Sequence, residues 1–202
     1  MTEGIWENNL RNQPDIIVLR KVIQAFPNLK VVIGASTARM YDKGKPHSST
    51  ARRFSDSPEF YDSYNTALQL DKFSDSIQVY HKSKLVPGVE RMPYPMIFGF
   101  LENMAIDLGG TAGSLGTQEE RSVFISLHSS RTGAGGEATI APVICYESIF
   151  GEYVTDYVRN GASLIFIITN DGWWGNTPGF AQHLLYGRLR AIETHRSIAR
   201  SA

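Results

Sequence analysis

From Pro14 to Phe26 the apolar residues Ile16, Ile17, Leu19, Val22, Ile23 and Phe26 recur at helical spacing, which predicts a helix with one buried face. Pro14 suits its first turn, and Pro27-Asn28 ends it. Val31-Val32-Ile33-Gly34 reads as a short buried strand. Asp42 to Tyr61 carries glycine, proline and serine at loop density. Tyr64 to Leu70 and Ile77 to Tyr80 read as strands of a hairpin that turns at Lys72-Phe73-Ser74-Asp75. Met92 to Leu108 reads as a helix, Gly109 to Gly116 as a glycine-rich connection, and Arg121 to Leu127 as a strand.

The second half carries the sharper pattern. Ala138 to Cys145 is an apolar strand, followed by a helix to about Arg159 and by Gly161 at a left-handed cap position. Ala162 to Thr169 is a β-branched apolar run of the kind buried on both faces. Asn170 to Pro178 is turn-rich, Ala181 to Arg196 is a long helix, and at Ile198 to Ala202 the chain stops where another strand is expected to begin. Strand, loop and helix alternate without an internal repeat, which predicts an α/β layered sheet.

Composition narrows the function classes. The chain has 202 residues, the size of one α/β domain, with 42% apolar and 11% aromatic residues, enough for a packed core. Twenty basic residues balance twenty acidic ones, so there is no electrostatic footprint for nucleic acid. One cysteine excludes an internal disulfide and a Cys-rich metal centre, and His47, His81, His128, His183 and His195 lack ligand spacing. No metal or cofactor is expected. The longest strongly apolar stretch, Ala162 to Thr169, falls short of the ~20 residues that span a bilayer, and polar residues follow Met1 at once, so the expectation is a soluble domain.

Several residues sit where chemistry is done. Cys145, in Ile144-Cys145-Tyr146-Glu147-Ser148, lies at a strand-to-helix junction, where backbone N–H groups stabilise a thiolate and an oxyanion. The plain alternative is a small buried hydrophobe. Lys82 ends a strand, and an ammonium beside a cysteine favours the thiolate and a tetrahedral anion; alone, it reads as a surface lysine. Glu90 follows Pro87 and Gly88 on a constrained loop. Trp173 and Trp174, in the glycine-bounded run Asn170-Asp171-Gly172-Trp173-Trp174-Gly175, are expected to cap a core or line a pocket. On the next helix lie His183, Arg188, and a structural pair, Arg190 and Glu193, at helical spacing.

Three ordered blocks make a resemblance. Tyr80-His81-Lys82-Ser83-Lys84-Leu85-Val86-Pro87-Gly88-Val89-Glu90, Ile144-Cys145-Tyr146-Glu147-Ser148, and Asn170 to Gly175 with His183 and Arg190-Ala191-Ile192-Glu193 resemble the bacterial apolipoprotein N-acyltransferases of the nitrilase superfamily. The resemblance implies an αββα sandwich of carbon–nitrogen hydrolase type, incomplete at both ends. It also implies a Cys145 nucleophile that takes an acyl chain from a phospholipid as a thioester and passes it to the α-amine of a diacylglyceryl-cysteine on a lipoprotein. Lys82 would stabilise the oxyanion, Glu90 would be the second glutamate of the site, and Tyr146, Glu147, Trp173 and His183 would support it or the substrate. The parent protein would sit in the inner membrane, anchored by segments absent here, with this domain facing the periplasm.

The family's general-base glutamate ends an apolar strand in a Pro-Glu-Thr-like motif, and this chain has no such strand. Glu3 and Glu7 lack a buried run before them, so the chain is expected to begin just after the base. A free thiol of pKa ≈ 8.5 is only a few per cent ionised at pH 7, and general-base help is worth roughly 10²–10⁴-fold. The isolated polypeptide is therefore expected to be inactive, which hydroxylamine-sensitive acylation of Cys145 in phospholipid micelles would contradict. Two further readings are a soluble amidase of the same superfamily and a non-catalytic remnant that binds lipid or a partner.

Overall fold

The structure is a computed structural model that describes residues 4–26, 28–72, 74–91, 114–128 and 136–202. Its first sheet holds β1 (Ile5–Trp6), β2 (Val31–Met40), β3 (Arg52–Arg53), β4 (Phe60–Leu70) and β5 (Gln78–His81). β2 and β4 pair antiparallel from Val31 opposite Leu70 to Met40 opposite Tyr61. β1 joins β2 in parallel, and β3 and β5 both pair antiparallel with β4. The second sheet runs in the order β6 (Phe124–His128), β7 (Gly136–Ile144), β8 (Leu164–Ile168), β9 (Ser197–Ser201). β6 pairs antiparallel with β7, and β7, β8 and β9 are parallel. The crossovers carry α2 (Gly151–Arg159) and α3 (Gly179–Thr194).

Strand alternation sorts the first sheet into two faces. Leu68 and Leu70 point outward and pack on Ile16 and Ile23 of α1 (Pro14–Ala25). Ala67 and Tyr80 point inward and join the main buried cluster, which runs through Ile140 and Ile144 on the near face of the second sheet to Val143, Ile165 and Ile167 on its far face. The sheets come close at Gly34, where an added Cβ would lie 2.8 Å from Ile168 Cγ2. β6 is an edge strand, and glutamines from the first sheet satisfy it: Gln69 and Gln78 donate to the Ile125 carbonyl, each at 2.7 Å. Gly187 of α3 sits over Ile167 on the far side of the second sheet. The result is a helix–sheet–sheet–helix α/β sandwich. None of the described helices is long and apolar enough to cross a membrane.

Four expectations are corrected. The strand expected over Val31–Gly34 continues to Met40, because β4 supplies a partner along its whole length. The helix expected directly after Cys145 begins at Gly151, preceded by a 3₁₀ turn over Cys145–Ile149. Ser197–Ser201 form a strand themselves, held parallel to β8. On α1, Ile17, Val22 and Phe26 are exposed, and the buried stripe reduces to Ile16 and Ile23. The helix expected over Met92 to Leu108 and most of the glycine-rich connection lie outside the described residues. Gly161 does adopt the left-handed cap, at φ +94°, with the Ala162 amide returning to the Tyr157 carbonyl.

Candidate active site

Cys145 leaves the carboxyl end of β7 at φ +49°, a left-handed conformation for a residue with a side chain. Such a backbone costs of order 1–3 kcal/mol and persists where surrounding contacts over-determine it. Those contacts are present. The Cys145 carbonyl accepts from Ser148 Oγ at 2.8 Å and lies 3.1 Å from His183 Nε2. Arg190, nearly fully buried, donates to the Ile149 carbonyl at 3.0 Å and the Ser148 carbonyl at 3.3 Å, and pairs with Glu193 at 2.8 Å. The expected Arg190–Glu193 pair thus also braces the turn that carries the cysteine.

Lys82 follows β5 on the inner face and is 1% exposed. A buried ammonium needs a partner, and Glu90 provides a bidentate one, with Nζ 2.8 Å from each carboxylate oxygen. Asn65 fixes both partners: its carbonyl accepts the Lys82 amide at 2.8 Å and its Nδ2 donates to Glu90 Oε1 at 2.5 Å. The Val86 amide donates to Glu90 Oε2 at 2.8 Å, which closes the loop containing Gly88 at φ +82°.

Glu147 is fully buried and joins these two regions. Its Oε1 accepts from the Ser83 amide at 2.6 Å, Tyr80 at 2.7 Å and Tyr153 at 2.9 Å, and Oε2 accepts from the Ile144 amide at 2.8 Å. One carboxylate therefore ties the residue after Lys82 to the residue before Cys145. Burial raises the Glu147 pKa above the ordinary carboxylate value, against the pull of these donors. Burial and the Glu147 charge push the Tyr153 phenol up to about 12, and Tyr80 is raised as well, so both remain donors near neutrality.

A second network backs the cysteine. Asp171 begins the turn after β8, and Arg200 lies near the end of β9, so both stand at the carboxyl edge of the parallel strands, beside Cys145. His183, on the buried stripe of α3, places Nδ1 2.9 Å from Asp171 Oδ1, and Arg200 pairs with Asp171 Oδ2. Burial raises the Asp171 pKa, but hydrogen bonds from His183 and Arg200 outweigh it and hold the carboxyl below its usual range.

The remaining expected residues fall differently. Tyr146 packs edge-on against Phe150 beside the cysteine. Trp173 and Trp174 are 56% and 46% exposed, so neither is buried in a core. Glu7 opens the 3₁₀ turn that follows the short β1, and it bonds His81 Nε2 at 2.7 Å and Thr37 Oγ1 at 2.5 Å. His81 ends β5 and Lys82 follows it in extended continuation, so their side chains leave opposite faces. Glu7 thus belongs to the outer face, where it lines a cavity of about 470 Å³ with Arg39 and Gln118. It does not reach the face that carries Lys82 and Glu90. Sequence reasoning missed Asn65, Tyr80, Tyr153 and Arg200. A polar Asn65 on an inward strand position was a usable signal; the others act through hydroxyl or guanidinium tips that no spacing reveals.

Residues 29–202 match the carbon–nitrogen hydrolase family. Two curated relatives are both named apolipoprotein N-acyltransferase. That of Chlorobaculum tepidum is 36% identical over 157 residues, covering 78% of this chain and 28% of that protein. That of Allorhizobium ampelinum is 33% identical over 194 residues, covering 96% and 32%. The chain therefore spans about a third or less of these relatives. Among solved structures, an amidase from Nesterenkonia sp. aligns with TM-score 0.45 at 16% identity, covering 92% of this chain and 50% of that one. By the family match over most of its length, the chain belongs to the carbon–nitrogen hydrolase family.

Proposed function

We propose that this domain is the catalytic part of an acyltransferase that moves a fatty acyl group from a phospholipid to the α-amine of a diacylglyceryl-cysteine on a lipoprotein. The Cys145 sulfur attacks the phospholipid ester carbonyl. The Lys82 ammonium stabilises the tetrahedral oxyanion, and the lysophospholipid leaves as its alcohol after taking a proton. The acceptor amine then attacks the thioester, loses a proton, and releases the Cys145 thiol. Glu90 holds Lys82, Glu147 fixes the lysine loop against the cysteine turn, and Tyr146 and His183 support that turn. The parent protein works at the inner membrane with this domain on the periplasmic side.

The observation that carries the reading is the shared Glu147 carboxylate, which couples the lysine and cysteine segments. The relatives' name, apolipoprotein N-acyltransferase, supports acyl transfer to a lipoprotein amine. Among the described glutamates on these segments, Glu90 is engaged with Lys82 and Glu147 with five donors. Glu7 lies across the sheet, so none of the three is placed as a free base for Cys145.

The test supplies an activated donor, the p-nitrophenyl ester of palmitic acid in detergent micelles, at pH 9, where an ordinary thiol is largely ionised. A diacylglyceryl-cysteine peptide serves as acceptor. The expected product is the N-palmitoyl peptide, lost in Cys145→Ala. Ammonia release from short-chain amides, with no acylated peptide, would replace this reading with an amidase.

A further inference from the structure

Lys82 lies just past the end of β5, where the ladder to β4 runs out. Among the described strands β5 pairs with β4 alone, and the last contact between them is the Lys82 amide on the Asn65 carbonyl at 2.8 Å. Amides of an antiparallel strand alternate between its two edges, so the His81 amide faces the open edge. Gln118 takes it there: its Oε1 accepts the His81 amide at 2.7 Å. The same residue reaches the other flank of the lysine, where its backbone carbonyl accepts from Ser83 Oγ. Gln118 Nε2 donates to the Glu120 carbonyl at 2.7 Å and to Ser122 Oγ at 3.0 Å, which fixes Oε1 as the acceptor for His81.

The segment that carries Gln118 also holds the partners of the lysine. The Leu115 amide donates to the carbonyl of Glu90, the lysine's counterion, at 3.1 Å. The Gly116 amide donates to the Ser63 carbonyl at 2.8 Å, two residues before Asn65, and Gly116 lies so close to the Tyr64 ring that a Cβ would have no room. Gln118 bonds the neighbours of Lys82, whereas the ammonium itself bonds Glu90, so the effect of Gln118 runs through the backbone. We propose that Gln118 is a positioning residue for Lys82, pinning the residue on each side of it so that the ammonium stays where the oxyanion forms. The role of Lys82 rests on the acyltransferase reading; the addition is the residue that holds the lysine in place.

The test follows acylation of Cys145 by the p-nitrophenyl ester of palmitic acid in detergent micelles at pH 9, per folded molecule. Gln118→Met removes the acceptor and should slow acylation about tenfold, less than the cost of losing an oxyanion donor outright. Gln118→Asn, one methylene shorter, should show the same slowing, and Gln118→Glu, which keeps an acceptor for the His81 amide, should recover most of it. In the Lys82→Met/Glu90→Gln chain, Gln118→Met should slow the reaction by less than about twofold further, because the lysine it positions is gone. Gln78→Met removes the side chain that ties β5 to Ile125, and should lower the melting temperature without slowing acylation. Equal slowing by Gln118→Met in both backgrounds makes Gln118 merely structural and overturns the proposal, as do no slowing and no recovery in Gln118→Glu. Amine labelling by acetic anhydride, mapped by peptide mass, reads the lysine without acyl transfer. Lys82, 1% exposed, should be labelled at least about tenfold faster in Gln118→Met, with the exposed Lys84 unchanged. A wild type that never acylates Cys145 removes the acyltransferase reading alone; the labelling then decides this proposal, and equal protection of Lys82 in both chains overturns it.

Discussion

The Glu147 carboxylate lies 2.6 Å from the Ser83 amide, a contact between residues 64 positions apart in sequence. Its other oxygen holds the Ile144 amide, so the lysine-bearing loop and the cysteine-bearing turn share one buried anchor. Glu147→Gln keeps the shape but turns one acceptor into a donor facing an N–H group or a phenol. A buried donor left unsatisfied costs about 1–3 kcal/mol. Thermal unfolding should show that loss, and Cys145 acylation should fall further than the fraction unfolded explains.

The Lys82–Glu90 pair should behave as a unit. Removing one partner of a buried ion pair leaves an uncompensated charge and costs about 3–5 kcal/mol. Glu90→Gln and Lys82→Met should each be strongly destabilising in urea, and the double variant should recover much of the loss. A double-mutant cycle measures the coupling; additive losses would mean that the two side chains do not depend on each other.

Asp171 gives a pH prediction. Its carboxyl titrates below the ordinary value of 3.8 in the folded chain, so the unfolded chain binds the proton more readily. Stability from this group is present above the unfolded pKa and is lost as pH falls through the folded one. The stability gap between wild type and Asp171→Asn should be full at pH 6 and narrow as pH drops below about 4. Urea unfolding at pH 6, 4 and 3 measures it.

Gly34 tests the sheet packing. A Cβ there meets Ile168 Cγ2 at 2.8 Å, so Gly34→Ala must push the two sheets apart or displace Ile168. Overpacking of this kind costs about 1–3 kcal/mol. Ile168→Leu, which lacks the Cγ2 methyl, in the same chain should restore part of the melting temperature.

Long apolar runs were legible in the sequence because burial on both faces leaves a local mark. Leu164–Ile168 and the strand into Cys145 follow from it directly. Ser197–Ser201 could not be read this way: Ser-Ile-Ala-Arg-Ser is barely apolar, and its strand character comes from pairing with β8. The second half of β2 likewise owes its shape to β4. Cys145, Lys82 and Glu90 stood out by motif, but their connection through Asn65 and Glu147 depends on residues brought together by the fold. For the tryptophans, the sequence left open whether they cap a core or line a surface pocket, since an exposed indole and a buried one carry the same local signal; both are exposed.

The most direct measurement is the intact mass of the chain after incubation with the p-nitrophenyl ester of palmitic acid at pH 9. One hydroxylamine-labile palmitoyl group is predicted on Cys145, absent in Cys145→Ala. In Lys82→Met/Glu90→Gln, folded by circular dichroism, its formation should be about 10²-fold slower, the scale of losing one oxyanion donor. An unmodified cysteine, or a thioester formed equally fast without Lys82, would contradict the account.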